Sequence, residues 1–321
     1  MNSLNRIRAM LSPLVLLAAL ATVGGGPEEA TGLRRCPRGH YKLADMAECA
    51  PMLTCPQLGS LQVGKLIGVG GVKAVYNATW RDQTVALSIL NNRRFAEDFA
   101  YGQQMQLLYS GLPNFIQVVG FCEKPALTLT EYHPLGSLAN LSAIVANYNL
   151  EDDVRFRLRL CRGWADILRI LHGEGPIKET RVMCDSNSIS KLLSQVLLEA
   201  VTLEPVLNDV DALPVVGPGG VICGNGGPLE GDLVAPEQRW PFPDLPYDAA
   251  LMPGYSEKAD IWKAGVVCEH LLNVTGGAWA RYRLFRLHRR CRHEVPALRP
   301  CAAELHAEYS NALAELTRDE L

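Results

Sequence analysis

At 321 residues, the chain is long enough to form one large domain or two modest ones, each with a buried core. Hydrophobic residues make up 48% of it and charged residues 20%, a balance typical of globular proteins and not of disordered ones. The formal net charge is -3 and the lysines and arginines form no long run, so we expect no nucleic-acid partner.

The N-terminal segment is typical of a secretory targeting signal. Residues 1–8 carry two arginines and precede an apolar run at 9–23, which is short for a membrane-spanning helix of ~20 residues. The small residues within 19–21 suit a cleavage site. A removed signal peptide and an uncleaved signal anchor, which would leave 1–8 in the cytosol, therefore both stay open, and either delivers the rest of the chain to a lumen.

Two further features agree with a lumenal destination. The tail at 317–321 ends in Arg-Asp-Glu-Leu, one conservative change from the KDEL address, which predicts a retrieval receptor as a partner. Asn-x-Ser/Thr sites occur at Asn77, Asn140 and Asn273, so these are predicted glycosylation sites. We expect residence in the endoplasmic reticulum, and the anchor interpretation makes the chain a single-pass type II membrane protein held in that membrane.

The ten cysteines favour disulfides in an oxidising compartment. Cys36, Cys49 and Cys55 lie in a stem at 24–60, and their spacing is not that of a zinc site. Because three is an odd number, at least one of them is expected to pair with a later cysteine, such as Cys122 or Cys161, or to stay free.

The predicted elements change character along the chain. From Leu61 to about Pro134, β-rich stretches alternate with turns, and a helix near Phe95–Leu108 interrupts them. After Gly136 the pattern becomes helical, with segments at 138–147, from 154 and from 257. A small β-rich lobe followed by a larger helical lobe is an α+β architecture.

The order of motifs resembles the eukaryotic protein kinase fold over residues 61–316, which predicts a bilobal kinase domain there. The Gly-rich stretch GVGGVKAVY begins at Gly68, the strand VAL at Val85, and the hinge-like stretch TEYHPLGSL at Thr130. The stretch LVAPEQ supplies an Ala-Pro-Glu motif. The residues that the resemblance marks as structural are Glu237 in that motif, its kinase partner Arg299, and Asp260.

Longer strings make the resemblance more specific. CPRGHYKLADMAEC, TRVMCDSNSISKLLSQVLL, LNDVDALP and VAPEQRWPF look like the protein O-mannose kinase family of lumenal glycan kinases. The resemblance implies transfer of the ATP γ-phosphate to the 6-hydroxyl of mannose in the GalNAc-GlcNAc-Man trisaccharide of alpha-dystroglycan, in support of laminin-binding glycan synthesis. It implies ATP and Mg²⁺, or Mn²⁺, as cofactors. The predicted ATP-binding residues are Gly68, Gly70, Gly71, Lys73, Glu131 and His133.

The phosphate-binding lysine is displaced. The strand that normally carries it reads VALS and ends in Ser88, whereas Lys73 stands where the GxGxxG pattern expects its third glycine. We expect Lys73 to point under the Gly-rich loop and to act in catalysis; the alternative is a solvated surface lysine. Its helix partner stays open, because the usual glutamate position falls on Gly102 and Glu97 is only a candidate.

The catalytic loop and the metal-binding motif are also altered. The triplet Met183-Cys184-Asp185 keeps the aspartate that orients the acceptor hydroxyl, so Asp185 is the predicted catalytic residue. Aligning SQVLL with the usual ENILL places Gln195 at a metal ligand. Asp209 occupies the metal-binding position of the next motif, and Asp211 is either a further ligand or a turn residue.

The activation segment lacks a site for phosphorylation. Residues 210–237 contain no Ser, Thr or Tyr, and Cys184 replaces the arginine that grips a phosphorylated segment. The lysine usually found two residues after the catalytic aspartate is replaced by Asn187. We expect an enzyme that needs no activating phosphorylation. The alternatives are an inactive pseudokinase scaffold and a kinase that acts on peptide hydroxyls.

Overall fold

The protein has two lobes, which confirms the predicted α+β, kinase-like bilobal architecture. The computed structural model describes residues 35–224 and 226–318. A β-rich N-terminal lobe is followed by a helical C-terminal lobe, and each has its own buried hydrophobic cluster.

The segment before the main sheet is a small disulfide-linked unit on the N-terminal lobe. It contains strands β1 (His40–Tyr41) and β2 (Ala50–Pro51), which pair antiparallel, and a short helix α1 (Cys55–Leu58). Cys36 bonds to Cys49, and Cys55 bonds to Cys122 of the main sheet. Of the two later cysteines considered, Cys122 is therefore a partner, whereas Cys161 is a buried free thiol.

The main sheet of the N-terminal lobe has five antiparallel strands in the order β3-β4-β5-β7-β6. Val85 and Leu87 are two positions apart on the central strand. Because successive side chains point to opposite faces of a sheet, both lie on the same face, where they are buried. The strands are β3 (Gln62–Val69), β4 (Lys73–Trp80), β5 (Gln83–Leu90), β6 (Val118–Cys122) and β7 (Leu127–Glu131).

One helix of the N-terminal lobe, α2 (Ala96–Tyr109), connects the sheet to the cleft. The Gln103 amide donates to the Leu127 carbonyl at 2.9 Å, and the Tyr101 hydroxyl donates to the Leu213 carbonyl at 2.5 Å. Tyr109 stacks on Phe115 and joins the core of the C-terminal lobe. The helix therefore contacts both lobes.

The C-terminal lobe is built around helix α4 (Val154–Leu171), whose apolar face is buried. The Asp153 side chain caps it by accepting from the Phe156 amide at 2.7 Å, a typical helix start. Two short strands, β8 (Val196–Leu198) and β9 (Pro205–Leu207), pair at the cleft. The helices are α3 (Leu141–Tyr148), α4 (Val154–Leu171), α5 (Ile189–Ser194), α6 (Lys258–Leu271), α7 (Ala278–Cys291) and α8 (Ala302–Arg318).

The expectation of a type II protein of the endoplasmic reticulum membrane is corrected. Across the described residues, no helix has both the length and the apolar character needed to cross a membrane. The predicted cytosolic segment at 1–8 and the signal at 9–23 lie outside the described residues, and so do positions 319–321 of the retrieval tail. The retrieval receptor stays a prediction.

Candidate active site

Lys73 reaches across the cleft between the lobes. It is the first residue of β4, and its Nζ lies 2.7 Å from Asp209 Oδ1 and 4.0 Å from Asp211 Oδ2. Only 17% of its side chain is exposed, so it is not a solvated surface lysine. Burial alone would lower the pKa of Lys73, but attraction from the two carboxylates outweighs it and leaves the pKa raised. Lys73 is therefore a fixed positive charge in the cleft.

Asp211 occupies the space next to the helix where the resemblance places a glutamate. Gly102 of α2 has no side chain, and a Cβ built there would lie 2.9 Å from the Asp211 Cβ. Burial and repulsion from Asp209 raise the pKa of Asp211 to about 7. Glu97 is exposed on the first turn of α2. Asp211 thus supplies the second carboxylate beside Lys73, and α2 supplies only the room for it.

Asp209 carries the negative charge that pairs with this lysine. Its burial would raise its pKa, but Lys73 holds the pKa of Asp209 below its usual range. Asp209 follows β9, and its backbone amide donates to the Gln195 carbonyl at 3.3 Å. The backbone therefore holds Asp209 beside Gln195, and the two belong to one small cavity with Asp185 and Asp211.

The residues of this cavity fit a divalent metal ion. Gln195 Oε1 is buried and, among the described residues, has no hydrogen-bond partner. This oxygen is therefore available to bind a metal ion. Its Nε2 donates to the Asp185 carbonyl, which fixes the amide. Within the described ranges, no cluster of three or more His, Cys, Asp or Glu side chains is arranged to hold a metal. Two carboxylates and one amide, completed by phosphate oxygens and water, match the ligands of Mg²⁺ in phosphoryl-transfer enzymes.

The catalytic loop is held from below by helix α6. Asp260 Oδ2 accepts from the Met183 amide at 3.0 Å, and Lys263 Nζ donates to the Met183 carbonyl at 2.8 Å. The same ammonium donates to Ser186 Oγ at 2.7 Å and to Asp260 Oδ1 at 2.9 Å. These buried bonds fix the Met183 backbone before Asp185 and the Ser186 side chain after it, and the Asp185 carboxylate is 44% exposed and lines the cleft.

Cys184 performs a structural role that the sequence did not reveal. It forms a disulfide with Cys223 in the activation segment. The bond stands at the position where the resemblance expects an arginine that grips a phosphorylated residue. A covalent link therefore joins the catalytic loop to a segment that has nothing to phosphorylate.

The end of the activation segment is fixed by the residues marked as structural. Arg299 forms a bidentate ion pair with Glu237, at 2.5 and 2.7 Å, and its side chain is fully buried. Its guanidinium also lies over the Trp262 ring, 5.0 Å from the centroid. Glu237 and Arg299 are thus paired with each other, whereas Asp260 bonds to the catalytic loop at Met183.

The side chain of the hinge residue Glu131 contacts Arg35, in the disulfide-linked unit that precedes the main sheet. Arg35 forms a bidentate ion pair with Glu131, at 2.7 and 3.1 Å, and His133 Nε2 lies 3.4 Å from the same carboxylate. Burial opposes ionisation, but His133 and Arg35 keep the pKa of Glu131 low. Both hinge side chains are buried, and Glu131 is engaged by Arg35, whereas His133 Nε2 has no hydrogen-bond partner among the described residues. Any contact of Glu131 and His133 with a nucleotide would therefore come from the backbone.

The glycines predicted to bind ATP lie in the turn between β3 and β4. Gly68 pairs with Val75 in the β3–β4 hairpin, and the Gly70 amide donates to the Lys73 carbonyl at 2.8 Å, so Gly68, Gly70 and Gly71 form the turn above Lys73.

Of the predicted glycosylation sites, Asn140 and Asn273 are exposed. Asn77 lies within β4, and its Oδ1 accepts from the Lys65 amide at 2.5 Å.

Sequence comparison gives the chain named relatives. No family model matches it. The protein O-mannose kinase of Homo sapiens is 39% identical over 289 residues, which cover 88% of this chain and 81% of the human protein. The protein of that name in Gallus gallus is 39% identical over 292 residues, covering 88% and 81%. A probable serine/threonine-protein kinase of Dictyostelium discoideum, drkD, is 28% identical over 222 residues, covering 67% and 15%.

Proposed function

The chain belongs to the protein O-mannose kinase family, and we propose that it transfers the ATP γ-phosphate to the mannose 6-hydroxyl of the GalNAc-GlcNAc-Man trisaccharide on alpha-dystroglycan. Membership makes it a kinase, which uses ATP and a divalent metal. The names of the relatives support mannose as the acceptor. In this proposal the phosphorylated trisaccharide leads to the laminin-binding glycan.

The observation that carries the proposal is the ion pair between Lys73 and Asp209. Phosphoryl transfer needs correct positioning and charge neutralisation more than covalent chemistry, so the parts can come from unusual positions if they meet in one cleft. Lys73 replaces the lysine that Ser88 cannot provide, and it lies opposite the carboxylates. A scaffold without turnover would have no need for this arrangement.

Each residue then has a defined role. Asp185 orients the mannose hydroxyl and receives its proton, because its carboxylate is accessible while its backbone is fixed. Lys73 binds the phosphates from the roof of the cleft. Asp209, Gln195 and Asp211 would hold Mg²⁺ or Mn²⁺, which when bound neutralises charge on the phosphates.

The acceptor class follows from what the activation segment lacks. Protein Ser/Thr kinases carry a threonine just before the Ala-Pro-Glu motif, and here that segment contains no hydroxyl residue. The disulfide at Cys184 also removes the need for a regulatory phosphate on this segment. These features favour a carbohydrate acceptor over a peptide.

The test compares acceptors directly. Purified protein is incubated with radiolabelled ATP, Mg²⁺ and either the trisaccharide, its analogue with 6-deoxymannose, or casein, with Asp185→Asn as the inactive control. We expect label on the trisaccharide only. Label on casein alone would indicate a protein kinase, label on the 6-deoxy analogue would refute the 6-hydroxyl, and label on no acceptor would favour the pseudokinase scaffold.

A further inference from the structure

A second lysine lies beside the catalytic carboxylate. Lys191 Nζ is 2.7 Å from Asp185 Oδ2. The two side chains are 43% and 44% exposed, so both stay accessible to a nucleotide or an acceptor. Burial opposes the charge of Lys191, but Asp185, Asp209 and Asp211 together keep its pKa raised. The ammonium therefore lies within the field of all three cleft carboxylates.

Asp185 is contacted by Lys191 within helix α5 and by Gln195, the residue that follows the helix. Ser188 caps the helix by accepting from the Lys191 amide at 3.3 Å, and the Ser194 hydroxyl donates to the Lys191 carbonyl at 2.7 Å. At the other end, Gln195 donates to the Asp185 carbonyl. The helix and the residue that caps its end thus place Lys191 against the carboxylate of Asp185 and an amide against its backbone carbonyl.

Asn187, at the usual lysine position, is engaged elsewhere. Its Nδ2 donates to the Glu230 carbonyl at 2.7 Å, and its own carbonyl accepts from the Leu233 amide at 3.1 Å. It joins the catalytic loop to the activation segment and is not placed to contact a phosphate beside Asp185.

We propose that Lys191 is a catalytic residue whose ammonium contacts the transferring phosphoryl group, so that helix α5 supplies the cation that Asn187 cannot. The inference rests on the proposed phosphotransfer function and extends it to a residue to which the sequence analysis assigned no role. It makes the cleft a site with two cations, Lys73 on the roof and Lys191 beside Asp185.

The transfer forms one bond and breaks another. A bond forms between the acceptor oxygen and the γ-phosphorus, and the bond from that phosphorus to the bridging oxygen breaks, with its electron pair leaving on ADP. The hydroxyl proton passes to Asp185. Lys191 exchanges no proton or electron; it stabilises charge on the oxygens of the group in transit, where a fixed cation is most effective.

The test uses Lys191→Met and Lys191→Arg, with Lys178→Met, an exposed lysine of the same lobe, as the control. For Lys191→Met we expect kcat to fall about 100-fold, as for the loss of one transition-state donor, with KM for ATP changed about 3-fold or less. Lys191→Arg should recover part of the rate. In calorimetry without acceptor, wild type should bind MgADP with fluoroaluminate more tightly than MgADP, and Lys191→Met should lose that difference while keeping its MgADP affinity.

The two arms separate this inference from the proposed function. If wild type phosphorylates no glycan but binds the fluoroaluminate complex tightly, only the proposed acceptor fails, and calorimetry still decides the role of Lys191. Unchanged kcat together with unchanged fluoroaluminate binding in Lys191→Met overturns the inference. Retained MgADP affinity and an unchanged melting temperature show that the variant has folded.

Discussion

Asp211 packs directly against Gly102, so closely that a methyl group on this helix residue would lie 2.9 Å from the Asp211 Cβ. The contact explains a pair of departures from the kinase pattern: the helix lacks its glutamate, and the metal-binding motif has an aspartate where glycine is usual. The second carboxylate beside Lys73 therefore comes from the metal-binding motif and not from the helix.

Replacing Gly102 with alanine tests this exchange. A Gly→Ala change inside a helix normally stabilises it by about 1 kcal/mol. Here we expect no such gain in the free energy of unfolding, since the methyl group displaces Asp211, and we expect kcat to fall at least about 10-fold. Urea denaturation and initial rates measure the two effects.

A double variant distinguishes the displaced carboxylate from general disruption. Gly102→Glu combined with Asp211→Gly returns the acidic group to the helix and the glycine to the loop. We expect it to be more active than Asp211→Gly alone. If Gly102→Ala is as active as wild type and more stable, the contact does not position Asp211.

The disulfide between Cys184 and Cys223 is expected to order the activation segment. It spans a sequence separation of 39, for which loop-closure arguments suggest about 2–4 kcal/mol of stabilisation. The double variant Cys184→Ser/Cys223→Ser should lose most activity, and its segment at 209–237 should be cut faster by protease. Phosphatase treatment should leave wild-type activity unchanged.

Cys301→Ser is the matched control, because Cys301 is a free and exposed cysteine. It should behave as wild type in activity and in proteolysis. Full activity of the double serine variant would show that the bond is not needed to hold the segment, and loss of activity after phosphatase treatment would restore a role for phosphorylation.

His288 predicts a loss of stability in acid. It is buried, its Nε2 lies 3.1 Å from the Tyr309 hydroxyl, and its Nδ1 lies 3.9 Å from the Glu269 carboxylate. Burial lowers the pKa of His288 to about 4 from 6.5. The unfolded chain therefore binds a proton that the native chain does not, so stability is complete above pH 6.5 and falls as the pH drops toward 4.

The shift corresponds to about 3 kcal/mol in the free energy of unfolding. Denaturant titrations at pH 7.5 and pH 4.5 measure it. In His288→Gln the pH-dependent part should shrink, whereas His293→Gln, a change at an exposed histidine, should keep it. An equal pH dependence in wild type and His288→Gln would contradict the assignment.

Part of this site could be predicted from the sequence because the kinase motifs specify local backbone. Asp185, Asp209 and Lys73 each lie in or beside such a motif, and the structure brings Lys73 to Asp209. Aligning SQVLL with the usual ENILL predicts Gln195 as a metal ligand, and Asp211 is predicted as a further ligand or a turn residue; both roles stay predictions. Both line the cavity with Asp185 and Asp209.

Other features depend on contacts that spacing does not encode. The orientation of α5 decides that Lys191 meets Asp185, and nothing in SNSISKLL shows which way that helix points. The partner of Cys184 lies 39 positions away, and cysteine spacing alone does not select it. The burial of Glu131 and His133 depends on Arg35, a residue of the preceding unit.

The most direct measurement is the rate of mannose phosphorylation by Lys73→Met, compared with Lys65→Met, which removes an exposed lysine of the neighbouring strand. If Lys73 neutralises the nucleotide phosphates, Lys73→Met loses at least about 100-fold in kcat/KM and Lys65→Met loses almost nothing. Wild-type rates in a folded Lys73→Met would contradict the assignment of Lys73 to the reaction.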